Sequence, residues 1–304
     1  MPRVLARGTG NPPPVEITDL LGGWDTSGVR RPVPVEATAA RLAASGQHRA
    51  ARLVRRMPAR DGLLDPAAVD ALLLRVHYEL QRFEEELQLA RRIAQTVAPW
   101  VAALRGERPV RVVDVGCGLG YVLRWLAAHD ALGPDVELVG VDLDRRLVAH
   151  AAELAAAEEL PCRFVAGDAF APGVAAGDGT RCVMVSSGLL HHLPAGELPA
   201  FFAAQRELGV AAFAHWDIRP GPWSTLGAWV LHAARMREPV SRHDGVLSAR
   251  RAHPAATLLD AARAGAPGYQ VSCADGPAWL PRPLDVLRPV TGVREPAGTV
   301  RVRP

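Results

Sequence analysis

The apolar positions of this chain recur with two different periods, and the change of period divides it. From Val35 to Met57 they follow a helical spacing interleaved with arginines, and Pro58 ends the run. Asp65-Pro66 is a helix start, with Asp as the cap and Pro in the first turn. From there to Leu104 a second helical stripe runs through Leu72, Leu73, Val76, Leu80, Phe83, Leu87, Ile93 and Val97. Its length predicts two helices or one kinked helix, with Pro99 as the break. Beyond Pro109 the pattern changes to short apolar, β-branched runs. Val112–Val115, Val136–Asp142, Cys162–Phe170, the run from Arg181 and Gly209–Ile218 read as five strands. Tyr121–Leu126, Ala195–Leu208 and Pro254–Ala264 read as helices, and Tyr269–Cys273 and Leu284–Pro289 as a sixth and a seventh strand. Strands alternating with helices predict an α/β fold. Residues 1–34, rich in Pro and Gly, read as poorly ordered.

The junction between the first strand and its helix carries the most chemistry. Asp114 is followed by Gly116-Cys117-Gly118-Leu119-Gly120, a glycine turn at a helix N-terminus. Its spacing is G-x-G-x-G, not the G-x-G-x-x-G of a dinucleotide site. Alone, it fits an ordinary tight connection as well as a ligand loop. Two later strands also end in acids. Asp142 lies about 20 residues beyond the loop, where a carboxylate can accept both hydroxyls of a ribose. Asp168 can accept from an exocyclic adenine amine, with Phe170 near the ring.

With these residues in this order, the stretch from Pro109 to Asp217 resembles the class I S-adenosylmethionine-dependent methyltransferases. The resemblance rests on the Asp114 glycine loop, Asp142, Gly167-Asp168-Ala169 and Leu190-His191-His192-Leu193, a motif frequent in the small-molecule branch. It implies a Rossmann-like, seven-stranded, mostly parallel sheet flanked by helices. It also implies S-adenosyl-L-methionine bound across the carboxyl ends of the strands. Asp114, Gly116, Cys117, Gly118, Gly120, Asp142, Leu143, Asp168, Ala169 and Ser187 are the residues it assigns to that cofactor. The domain is then 106–304, preceded by a helical cap over 35–105 in which Tyr78, Arg82 and Phe83 are the residues of interest. The segment 219–253, with a helix over Trp223–Met236 and a polar, basic loop over Arg237–Arg251, is longer than a plain connection and reads as a substrate lid.

Composition narrows the chemistry. All 35 cationic Lys+Arg positions are Arg, which excludes a Schiff-base lysine and a P-loop lysine. A net charge of +3 is too mild for a nucleic-acid partner. Ser187-Gly188-Leu189-Leu190 stands where base-amine methylases of the family carry a Pro-Pro-aromatic motif. No apolar run is long enough to span a membrane, and the N-terminus lacks the apolar core of a signal peptide. Cys117, Cys162, Cys182 and Cys273 lack zinc spacing and read as free thiols in a reducing cytoplasm.

Methyl transfer to a hydroxyl needs alignment and a base. His191 is the first candidate, facing the substrate, with His192 packed beneath it. His215 and Asp217 alternate at the end of the fifth strand and share a face, which makes them candidates too; Asp217 can instead cap the turn before Pro220. His243-Asp244 reads as a solvated loop pair, and no acid or histidine set has metal spacing. The expected activity is O-methylation of a small molecule with histidine-assisted deprotonation, with N- or C-methylation as the alternative. A nicotinamide oxidoreductase and a non-catalytic partner protein are the competing classes.

Overall fold

The computed structural model describes residues 15–25, 29–173, 181–221, 234–273 and 286–295. In chain order the helices and strands are α1 (Ile17–Leu21), α2 (Val35–Ala44), α3 (His48–Arg55), β1 (Ala59–Arg60), β2 (Leu63–Leu64), α4 (Pro66–Glu86) and α5 (Leu89–Leu104). Then follow β3 (Val110–Val115), α6 (Tyr121–Ala128), β4 (Val136–Asp142), α7 (Arg145–Ala157), β5 (Cys162–Ala166) and β6 (Cys182–Ser187). The last are α8 (Leu198–Glu207), β7 (Ala212–Ile218), α9 (Pro239–Arg251), α10 (Ala255–Gly265), β8 (Tyr269–Cys273) and β9 (Leu287–Arg294). The chain divides into two compact units, one of residues 1–76 with 227–247 and one of residues 77–226 with 248–304, so the division falls inside α4.

The first unit is helical. The run from Val35 splits into two helices because Gly46 turns left-handed (φ 77°), with Gly46 N donating to Ala43 O and Gln47 N to Leu42 O. The Asp65 carboxylate accepts from Ala67 N at 2.9 Å, the cap that starts α4. Two expectations fail here. Residues 15–25 and 29–34 are folded, and Ile17 and Leu21 are fully buried with Leu42, Val54 and Leu73. The described part of the polar stretch from Arg237 is mostly helix α9, not a loop. Asp244 on that helix is buried and caps α1, accepting from Ile17 N (2.9 Å), Thr18 N (3.0 Å) and Thr18 Oγ1 (2.9 Å). His243 Nδ1 lies 2.8 Å from the same carboxylate. A buried acid that satisfies a helix N-terminus looks like a solvated charge in a sequence. Residues 222–233, most of the helix expected over Trp223–Met236 and part of the expected lid, lie outside the described residues.

The second unit holds a seven-stranded sheet in the order β5-β4-β3-β6-β7-β9-β8. The pairs from β5 to β7 are parallel, and β9 runs antiparallel to both β7 and β8. The central strands are buried on both faces, which is why they read as nearly unbroken apolar runs. The seventh strand extends to Arg294, past the expected end at Pro289. Pro289 is tolerated because Trp216, opposite it, turns its carbonyl to Gly188 N, and β8 pairs only from Val290 onward. The helical break before the sheet also moves. α5 runs through Pro99, and the interruption lies at Gln88, which is left-handed at φ 51°.

One close approach fixes the β7–β9 pair. Gly292 lies opposite Phe213, and a Cβ there would sit 2.2 Å from Phe213 Cζ. Phe213 is fully buried against Phe202, His215 and Tyr269 and has nowhere to retreat. Gly292→Ala is expected to cost about 1–3 kcal/mol of stability by overpacking, read from the urea midpoint. An unchanged midpoint would show that the sheet opens to accept the methyl.

Candidate active site

A cavity of about 200 Å³ opens at the carboxyl ends of β3, β4 and β6, between the glycine loop and the second half of α4. The loop enters from buried Asp114 and bends at Gly116 (φ 74°), Gly118 (φ 51°) and Gly120 (φ 69°). Gly118 has to lack a side chain for a second reason: a Cβ would meet His77 Cδ2 at 3.0 Å. Gly120 is a packing position, where a Cβ would lie 2.2 Å from Phe164 Cε1. The loop amides are already used. Gly116 N and Cys117 N donate to Val141 O, Gly120 N to Cys117 O, and Gly118 N to Asp142 Oδ2 at 2.9 Å. A loop whose amides are spent internally is poorly suited to cradle a pyrophosphate. Asp142 Oδ1 accepts from Asp144 N at 2.8 Å, and each oxygen keeps a second lone pair for a diol.

The cavity brings together Gly116, Cys117, Gly118, Asp142 and Ser187 of the expected cofactor residues. Asp114, Gly120, Leu143, Asp168 and Ala169 are not among the residues that wall it. Leu143 is 67% exposed beside Asp142. Asp168 is exposed and accepts from Phe170 N at 2.9 Å. Phe170 packs edge-on to Phe201 in the core, not over the cavity. Cys117 is a buried thiol whose pKa burial pushes well above normal, so it is inert.

The far wall was missed from sequence. His77, Leu80, Gln81 and Glu84 of α4 face the cavity. The residues expected to matter, Tyr78, Arg82 and Phe83, do not line it. Tyr78 instead bonds His150 Nε2 at 2.7 Å, and Arg82 pairs with Glu79. The i, i+3, i+4, i+7 spacing of His77, Leu80, Gln81 and Glu84 was the available signal; their mixed polarity hid it. Gln81 is fixed from both ends, accepting from Arg124 at 2.9 Å and donating to Glu85 at 2.8 Å. Glu84 Oε1 accepts from Ser187 Oγ at 2.6 Å. Burial raises the Glu84 carboxyl to about 7. Burial, with Glu84 and Asp142 nearby, raises Asp114 well above the usual range. Asp142 is raised by burial, against the opposing pull of the Asp144 amide and His77. No arginine stands among the wall residues. The site gathers three carboxyls whose ionisation the surroundings disfavour.

The histidines sort differently from expectation. His192 lines the cavity, while His191 is buried in the 3₁₀ turn Leu190–His192. Asp217 holds His191 twice, through its backbone N (2.6 Å) and through Nδ1 (2.8 Å). Burial alone would raise the Asp217 carboxyl, but His191 and the Ile218 amide hold it below the usual carboxylate range. Asp217 therefore orients a histidine; it neither caps the turn before Pro220 nor lines the cavity. The turn is braced by His253, whose Nε2 lies within bonding distance of Leu190 O and Leu193 O, and by Arg251 on His192 O. His215 does not reach the cavity. It is fully buried among Phe201, Phe202 and Phe213, bonds Ser186 Oγ (2.9 Å) and Gln205 Oε1 (3.0 Å), and burial lowers its pKa to about 3. It is a neutral core histidine.

A family profile described as a methyltransferase domain matches residues 112–208, from the middle of β3 to just past α8. The chain carries a methyltransferase domain over these residues. No curated protein is significantly similar to it. Among solved structures the fold is similar to the plantazolicin methyltransferase BpumL in complex with S-adenosylhomocysteine, at 11% identity over 74% of this chain and 98% of that one (TM-score 0.50). Magnesium protoporphyrin IX methyltransferase from Synechocystis PCC 6803 with bound S-adenosylmethionine matches at 15% identity over 70% and 83% of the two chains (TM-score 0.45). An S-adenosylmethionine-dependent methyltransferase from Aquifex aeolicus matches at 15% identity over 71% and 96% (TM-score 0.45).

The methyltransferase cavity fits its cofactor on charge grounds. S-adenosylmethionine carries a sulfonium, an ammonium and a carboxylate; Glu84 and Asp142 on the walls suit its two positive groups, with no wall arginine to compete for them. Asp142→Ala removes a diol acceptor and also frees the Gly118 amide. Cofactor affinity, read by calorimetry with S-adenosylhomocysteine, is expected to fall roughly tenfold or more, with about 1 kcal/mol lost from stability. Unchanged affinity would place the ribose elsewhere.

Proposed function

We propose that this methyltransferase modifies a hydroxyl group of a small molecule, with His191 as the base and Asp217 as the residue that orients it. The observation that carries this reading is the two-point grip of Asp217 on His191, in the turn that directly follows cavity residues Gly188 and Leu189. With Nδ1–H donated to Asp217, proton acceptance falls to Nε2, and the ionised carboxylate stabilises the imidazolium that forms. Bound S-adenosylmethionine supplies an electrophilic methyl group. The chain's own work is to align the acceptor oxygen, take its proton at His191 and keep water out. Asp142, Gly118, Cys117 and Ser187 on the cavity wall would hold the cofactor. Free cysteines throughout support a cytoplasmic setting. No helix among the described residues is long and apolar enough to cross a membrane.

His191→Ala and Asp217→Asn test this together, assayed with labelled S-adenosylmethionine against phenols, carboxylates and amines. On a phenol, turnover should fall about 10²–10⁴-fold for His191→Ala while S-adenosylhomocysteine affinity is kept. The deficit should shrink at high pH, where the phenol ionises unaided. Near-normal turnover with an unchanged pH profile, or activity on amines alone, contradicts the reading.

A further inference from the structure

We propose that Glu84, seated with Ser187 on the wall that α4 adds to the cavity, binds the α-ammonium group of S-adenosylmethionine and makes cofactor loading depend on its own ionisation. The inference needs the cofactor but not the identity of the acceptor. Three observations carry it. Glu84 and Ser187 are wall residues joined by a 2.6 Å bond, so the carboxylate is anchored at the end of β6 rather than swinging in solvent. The other polar walls are Asp142, Gln81, Tyr121, His77 and His192, so the site offers no arginine to neutralise Glu84. Gln81, one turn before Glu84, is spent on Arg124 and Glu85, which leaves Glu84 as the acceptor that α4 presents.

The electrostatics follow from that placement. Glu84 faces Asp114 from β3, Tyr121 from α6, Ser187 from β6 and Glu85 on its own helix. Burial puts its carboxyl at about 7, so near neutrality the protein without ligand carries it partly protonated. A bound cation favours the ionised form. Binding near pH 7 therefore releases a proton, and affinity rises with pH until Glu84 is fully ionised. For a single group titrating there, the rise between pH 6 and pH 8 is about tenfold.

The test is calorimetry on the full chain at pH 6, 7 and 8, with S-adenosylmethionine and with methylthioadenosine, which lacks the aminoacyl arm and the sulfonium. In the unmodified protein, S-adenosylmethionine affinity should climb about tenfold across this range, while methylthioadenosine affinity stays flat. Glu84→Gln should flatten the slope and weaken S-adenosylmethionine about tenfold or more at pH 8, leaving methylthioadenosine within about twofold. Three results overturn the proposal. One is a flat profile in the unmodified protein, which needs no variant to measure. Another is a slope that survives in Glu84→Gln, which takes it away from Glu84. The third is an equal loss for both ligands, which marks Glu84 as merely structural.

Discussion

Asp142 accepts the Gly118 amide on one oxygen and the Asp144 amide on the other, so the end of β4, the glycine loop after β3 and the start of α7 meet at one carboxylate. Asp144 then caps α7 through Arg146 N and Leu147 N, which fixes the chain leaving the strand. The bend of the loop, the orientation of Cys117 and the floor of the cavity all follow from that junction. The amides of Gly116, Cys117, Gly118 and Gly120 are satisfied by protein groups rather than waiting for an anion.

The same junction has an electrostatic consequence. Buried Asp114 and the half-buried Asp142 and Glu84 lie near one another, and each has its pKa pushed upward. Like charges gathered in a low dielectric work against the folded state. That is strain at a functional site, offset by the apolar clusters on the two faces of the sheet.

The strand-and-loop frame of the methyltransferase domain was legible because its signals are local. Strands buried on both faces give apolar runs, glycines mark positive φ, and an acid, Asp142, ends β4 at the cavity. What sequence missed depended on tertiary geometry. Which face of α4 meets the cavity is a matter of one residue, about 100° of helix rotation, and the polar stripe His77, Gln81, Glu84 looked like solvent. His215 looked like a strand-end base, but it is fully buried in contact with three phenylalanines. Asp244 looked solvated because its partner amides lie 227 and 226 residues away. The sequence reading turned His191 toward the substrate and packed His192 beneath it, whereas the 3₁₀ turn puts His192 on the cavity wall and buries His191.

Hydrogen exchange of the full chain with and without S-adenosylmethionine tests most directly whether the cavity is assembled from these four segments. Added protection should concentrate in residues 77–84, 114–121, 139–144 and 185–192, with the β1–β2 hairpin at 59–64 unchanged. Protection of the glycine loop with none over 77–84 would remove α4 from the cofactor site, and no protection in any of the four segments would contradict the cavity itself.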